Sequence, residues 1–323
     1  HVLSLISTNE GKEYNCSTTG KEIINISVKD YLAKSNNWKH LHKLYRGKVE
    51  VFEGDSDAHL LIPPYIVGLL LGDGSLDKGA ALTNPDFEIY FDWHCYLANI
   101  GCYARILKKS TTECCTYSAV SINKKDPDKR TPRGTSEINK RLRAVGIFGM
   151  KAQSKRVPDN YKTCSYKNRL ELLAGLLDTD GSLSGPNGYD YISKSEQLSK
   201  DVAFISQSLG LRAICHPCIK TCSNTGKSGM YYRVSISGDT SIIPCRLPKK
   251  QAQPLKQKKR PNVTGFTVEP VGVGEFFGFE TDADHVYMLD DFTVTHNSGK
   301  SRIIAGLCKD VMTRWPASCA PMW

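Results

Sequence analysis

Two apolar runs end in an Asp-Gly pair: "IVGLLLGDG" carries Asp73 and "LAGLLDTDG" carries Asp180, 107 positions later. Small residues recur four apart in each, Gly68 and Gly72 in the first, Gly175 and Thr179 in the second. On a helix that spacing lines one face, so two such helices could approach backbone to backbone. Side by side they would bring Asp73 and Asp180 together at one end. A carboxylate at a helix C-terminus opposes the macrodipole, and two facing carboxylates repel. A divalent cation relieves both costs, and hard oxygen ligands suit Mg2+. A second cluster is His296-Asn297-Ser298 in "DFTVTHNSGKS". An asparagine amide can attack its own backbone carbonyl and break the next peptide bond; a preceding histidine can serve as general acid. A following hydroxyl can take an acyl group. A third is "SGKS", the second half of a phosphate-binding loop without its glycine-rich first half. There Gly299 and Lys300 would face the β/γ-phosphates, and Ser301 would hold magnesium.

The elements around these groups repeat. Each acidic helix leads to a strand-like stretch, then a helix ending in glycine, then more strand-like sequence. In the first copy "FEIYF" precedes "DWHCYLANIGCYARIL" and "TYSAVSI"; in the second "GYDYIS" precedes "SEQLSKDVAFISQSLGLRAIC" and "MYYRVSISG". Such an internal duplication governs the fold expected. Up to about residue 55, and again from Thr264, the chain reads as short strands with polar turns. The expectation is an α+β protein: a β-rich shell enclosing a duplicated helix-and-sheet insert, then a helical tail foreign to both.

Composition agrees with a globular protein bound to a polyanion. Of 323 residues 40% are hydrophobic and 24% charged, with net charge +10. That excess suits nucleic acid better than membrane. No apolar run reaches bilayer length, and the start is no signal peptide. Twelve cysteines without a framework read as intracellular thiols. "CHPC" (Cys215, His216, Cys218) with Cys222 could suggest zinc, but ordinary thiols on a strand are favoured. The connectors "KKDPDKRTPRG" (Lys124, Lys125, Lys129, Arg130, Arg133) and "KKQAQPLKQKKR" suit phosphate contact as well as solvation.

The two acidic segments resemble the paired LAGLIDADG motifs of homing endonucleases. The resemblance implies a pseudo-two-fold αββαββα domain over 56–260, with halves at about 60–155 and 165–250. Each half would supply a four-stranded sheet to a saddle on double-stranded DNA, and the protein would be a monomer with an internal pseudo-dimer. Asp73 and Asp180 become the metal ligands. "KRVP" points to Lys155 and "LPKKQAQP" to Lys250 as active-centre lysines. Lys220, Lys227 and Arg233 join the connector residues as DNA contacts. The first motif departs from the family pattern: Leu71 and Gly72 stand where Asp and Ala are usual.

The tail "FFGFETDADHVYMLDDFTVTHNS" resembles the C-terminal splicing blocks of inteins, especially those with LAGLIDADG inserts in vacuolar ATPases and replicative helicases. By that resemblance residues 1–55 and 261–297 are two segments of a Hint splicing domain interrupted by the endonuclease. Asn297 cyclises, His296 assists, and Ser298 opens the C-extein, 298–323. His1, His285, Asp290 and Asp291 would support the splicing centre. The expected N-terminal nucleophile block does not precede His1, so the chain reads as truncated there and unable to ligate exteins by itself. The half-loop then belongs to a host P-loop ATPase that binds nucleotide only once spliced. The readings are an intein-encoded Mg-dependent endonuclease, the same element with a DNA-binding but inactive nuclease, and, least, a P-loop ATPase. Its setting is expected to be intracellular.

Overall fold

The computed structural model describes residues 2–8, 23–52, 57–109, 114–122, 136–221, 226, 228–254, 261–270, 272, 274–275 and 286–296. In chain order the first elements are β1 (Val2–Ser7), β2 (Ile24–Ser27), α1 (Val28–Ala33), α2 (Asn36–Leu41) and β3 (His42–Tyr45). Next come α3 (Pro64–Gly72), β4 (Gly74–Ser75), β5 (Ala81–Asn84), α4 (Phe87–Asn99), β6 (Cys102–Lys109), β7 (Cys115–Ser121), α5 (Glu137–Val145) and α6 (Asp159–Lys162). Then follow α7 (Tyr166–Asp180), β8 (Gly181–Leu183), β9 (Gly188–Ser193), α8 (Glu196–Ser208), β10 (Arg212–Thr221) and β11 (Ser228–Ser237). The last are β12 (Val263–Thr264), β13 (Val286–Met288) and β14 (Val294–His296). The chain divides into two compact units, 1–49 with 256–323, and 50–255.

The larger unit is duplicated. One copy runs α3-β4-β5-α4-β6-β7, the other α7-β8-β9-α8-β10-β11. Their antiparallel sheets have matching orders, β4-β5-β7-β6 and β8-β9-β11-β10. A helix closes the first copy because Ser136 caps α5, accepting from Asn139 N at 3.4 Å, and Gly146 stops it at φ 81°. After the second copy, Pro244 and Pro248 leave only 3-10 turns at Thr240–Ile242 and Pro248–Lys250, where the αββαββα expectation has a helix.

α3 is buried from Pro64 through Leu71 and so has no wet face. Leu69, Leu70, Leu176 and Leu177 are fully buried in one core with Trp93, Leu97, Tyr189 and Val202. Each buried leucine contributes roughly 1.5–3 kcal/mol. Just before α3, the buried Tyr161 hydroxyl accepts from Ile62 N (3.1 Å) and donates to Ile62 O (2.7 Å). Tyr161→Phe leaves both backbone groups unanswered, an expected loss of about 1–3 kcal/mol, read as a lower urea midpoint at unchanged slope.

Three segments differ from the expectation. "FEIYF" opens α4 rather than forming a strand: Ile89, Trp93 and Leu97, four apart, are buried, while Phe87 (68%) and Phe91 (53%) face solvent. The local alternation of apolar residues was overridden by the longer 3.6-residue period. The strand in its place is β5, from "ALTN". In the N-terminal region the expected run of strands holds two short helices, capped by Ser27 on Asp30 N (3.0 Å) and Ser35 on Trp38 N (3.3 Å). "TGFTVEP" yields only the two-residue β12.

The smaller unit is a six-stranded sheet, β12-β3-β1-β14-β13 with β2 on β1. Val2 pairs with His296, so the first and last described strands are neighbours. Ile6, Tyr45 and Val294 form its small core.

Candidate active site

α3 and α7 pack through their small residues. A Cβ on Gly68 would lie 2.5 Å from Leu172 O and 2.9 Å from Gly175 Cα. A Cβ on Gly175 would strike Tyr65 O and approach Gly68 Cα to 3.1 Å. One on Gly72 would collide with the Thr179 side chain, whose hydroxyl donates to Gly175 O and Leu176 O. The pairs Gly68/Gly175 and Gly72/Thr179 are each 107 positions apart, the same interval as the aspartates. Gly74 and Gly181 let the chain turn tightly back over Leu70 and Leu177 into the strands that follow.

This packing brings Asp73 and Asp180 to one end, close enough to feel each other's charge. Crowding by protein atoms, and then the Asp73 charge, push the Asp180 carboxyl up to about 6, although its side chain stays open to solvent. Desolvation also raises Asp73, opposed by a hydrogen bond from Asn84 Nδ2 at 2.7 Å and by the two lysine charges. Both lysines close the helix ends. Lys155, 7% exposed, donates to Gly72 O at 2.6 Å. Lys250 donates to Leu177 O (3.0 Å), Asp178 O (2.6 Å) and Thr179 O (2.8 Å). They satisfy C-terminal carbonyls, offset the macrodipole and face the carboxylates. Burial pulls both ammonium groups below the usual lysine range, against the pull of the aspartates.

Two mutually repelling carboxylates, reachable by solvent and flanked by one buried and one half-buried lysine, fit a hard divalent cation. Asp73 and Asp180 are the side chains that would hold it. Among the described residues no cluster of three or more His, Cys, Asp or Glu makes a separate metal site.

Asn84 and Asp178 join the site although the sequence did not single them out. Asn84 Oδ1 accepts from Asp86 N (2.8 Å), which fixes its amide so that Nδ2 points at Asp73. Lys249 Nζ in turn holds the Asp86 carboxylate at 2.6 and 2.8 Å. In the second copy Ser193 takes the same turn, accepting from Ser195 N at 3.1 Å. Among the described residues no hydrogen bond to Asp180 corresponds to the Asn84 bond. Asp178, 1% exposed, accepts from Tyr65 Oη (2.8 Å), Arg246 N (2.8 Å) and Leu247 N (3.3 Å), tying α3 and the 3-10 segment to α7. Its counterpart in α3 is Leu71, so this tie exists on one side only. The Asp178 carboxylate was visible as a motif letter; its partners come from elements far apart in sequence.

The remaining sequence-predicted residues are scattered. Lys220 lies on the solvent face of β10, and Arg233 is ion-paired to Asp190 at 3.4 Å. Cys215 and His216 are consecutive on β10 and face opposite sides of the sheet, which a shared zinc would not tolerate. In the smaller unit His296 ends β14. Asp291 pairs with Arg46 at 3.2 Å and accepts from Thr293 N, holding the turn between β13 and β14. Asp290 is exposed in that turn. His1, Lys124, Lys125, Lys129, Arg130, Arg133, Lys227, His285, Asn297, Ser298, Gly299, Lys300 and Ser301 lie outside the described residues.

A curated relative is the replicative DNA helicase DnaB of Mycobacterium intracellulare, 28% identical over 254 residues. That match covers 75% of this chain and 36% of the helicase, so the chain spans about a third of its relative's length. Solved structures include mesophilic variants of the homing endonuclease I-DmoI, at 16% identity and TM-score 0.35 over 54% of this chain and 87% of that one. A G20S variant of I-DmoI in complex with its target DNA gives 14% identity and TM-score 0.37 over 56% and 92%. A family profile described as a LAGLIDADG-like domain matches residues 167–241, which hold α7 and its sheet. Residues 167–241 therefore match a LAGLIDADG-like domain.

Proposed function

We propose that the larger unit is a homing endonuclease that hydrolyses both strands of a specific duplex DNA with Mg2+, and that it sits within an intein. The observation that carries this reading is the paired helix end, where Asp73, Asp180, Lys155 and Lys250 converge. A bound Mg2+ would activate water and stabilise the leaving oxygen of the scissile phosphodiester. Asp73 and Asp180 would hold it, one from each copy. Lys155 and Lys250 place positive charge beside the phosphates where negative charge develops. Asn84 fixes which oxygen Asp73 presents. The solvent faces of the two sheets, with Lys220 and Arg233, would lie on the DNA.

The splicing half of the proposal rests on chemistry at the boundary: Asn297 cyclises, His296 protonates the leaving amine, and Ser298 receives the acyl group. Two findings support it. β14 lies beside β1, so the segment ending in His296 is brought to the chain's first described strand, as excision of the intervening sequence demands. The helicase relative supports a P-loop ATPase as host, joined through Gly299, Lys300 and Ser301.

The test is incubation with Mg2+ and a plasmid bearing the uninterrupted host gene. Linear product is expected; tight binding without nicking would leave a DNA-binding element only. Lys155→Met is expected to slow cutting by about 100-fold with duplex affinity nearly kept. Asn84→Ser preserves the turn made by Ser193 in the second copy but frees Asp73. It should slow one strand's cut about tenfold more than the other's, scored on strand-specific end labels.

A further inference from the structure

The solvent face of the first sheet holds a cavity of about 330 Å3 beside the start of α5. Its lining includes Lys78, Gly79, Arg105, Ser118, Ser136 and Asn139. Register places Arg105, Ser118 and Ala81 side by side on β6, β7 and β5. Neither Lys78 nor Arg105 has an ionic or hydrogen-bonding partner among the described residues, and Arg105 Nε is buried without one. Asn139 is 7% exposed, yet its Oδ1 finds no hydrogen-bond partner either. A buried amide left unanswered costs about 1–3 kcal/mol, so something outside the described side chains is expected to answer it. The two ends of an asparagine amide differ only in which is assigned nitrogen. Turned over, Asn139 presents Nδ2 as a third donor beside the two cations. Ser136 and the N-terminus of the nine-residue α5 border the pocket, and the first-turn carboxylate of Glu137 is held by Arg141 at 3.0 Å.

The second copy has no such pocket chemistry. The positions matching Arg105, Ser118 and Ala81 are Ile214, Ser235 and Asp190, and Asp190 is neutralised by Arg233. The feature therefore does not follow from the duplicated scaffold.

We propose that this cavity is a phosphate-binding site, built by Lys78, Arg105 and Asn139, which makes the first copy grip one phosphate group that the second does not. Resting on the reading that DNA lies across the sheets, the favoured source is a backbone phosphate of the target duplex. A free phosphate has the same chemistry.

The experiment compares the full chain with Lys78→Gln/Arg105→Gln and, separately, Asn139→Asp. First, the melting temperature is read with and without millimolar inorganic phosphate. Second, duplex affinity is read from 50 to 200 mM salt. If the phosphate belongs to DNA, the double variant lowers the slope of log K against log salt by about 0.9 and weakens binding several-fold. Asn139→Asp, which places a negative charge in the pocket, weakens it further. If the source is free phosphate, the stabilisation seen in the wild type vanishes in both variants while the DNA slope stays put, which also supports the site. An unchanged slope together with an unchanged phosphate response overturns it. Should the wild type bind no duplex at all, the reading of the sheets fails, and the phosphate arm still decides the pocket. An unchanged melting temperature of the double variant without phosphate shows that the fold is intact.

Discussion

Asp180→Asn is expected to reduce strand cutting by about 100-fold or more, with duplex affinity held within about threefold. The substitution keeps the side chain's size and its place at the end of α7 while removing a charge that a cation needs. Cation ligation requires the carboxylate, and the crowded site holds Asp180 protonated up to about 6. Wild-type cutting should therefore rise with pH through that value at limiting Mg2+. The sign for stability runs the other way. A carboxyl whose folded pKa lies above its unfolded value, about 3.9, contributes stability that is present at acid pH. That contribution is lost as pH rises through the folded value, near 6. At pH 7 without metal the wild type carries the full repulsion between Asp73 and Asp180, and the variant does not. Asp180→Asn should then melt at or above the wild-type temperature. Added Mg2+ should raise the melting temperature of the wild type but not of the variant. Continued cutting by the variant, or a melting temperature clearly below wild type, would remove Asp180 from the centre.

The second large effect is on the helix contact itself. Gly68→Ala places a methyl group 2.5 Å from Leu172 O and 2.9 Å from Gly175 Cα, which are backbone atoms that cannot swing aside. Gly175→Ala does the same against Tyr65 O and Gly68 Cα. Each should cost about 2–3 kcal/mol through forced separation of α3 and α7. For a unit of this size, that lowers the melting temperature by roughly 5–10 °C. Gly274→Ala, with nothing within 4 Å, is the control. Cutting should fall further than the folded fraction, because the helices also set the spacing of Asp73 and Asp180. A melting temperature within about 1 °C of wild type for Gly68→Ala would mean that the close contact is not what holds the helices together.

Much of the centre was legible because it repeats. Two glycine-spaced helices ending in Asp-Gly, 107 residues apart, already imply a pair of carboxylates, and a helix-plus-sheet unit behind each. Lys155 and Lys250 were suggested by resemblance alone; their role as caps on the carbonyls of α3 and α7 is a matter of three-dimensional placement. "FEIYF" misled because five residues fit a period of two, while the thirteen of α4 fit 3.6. The short helices α1 and α2 were hidden by polar sequence, and only the serine caps at Ser27 and Ser35 signalled them.

By itself the sequence determined what depends on neighbours in the chain. It set the periodicity of the buried faces, the small residues that allow helix contact, and the charge excess. Tertiary structure alone decided how the two copies differ. Asn84 bonds Asp73 while Asp180 has no such bond among the described residues, Asp178 is locked by Tyr65 where the other motif has Leu71, and Arg105, without a partner among the described residues, stands where Ile214 lies in the second sheet. These differences depend on side-chain length and on partners tens of residues away, and one-dimensional spacing carries neither.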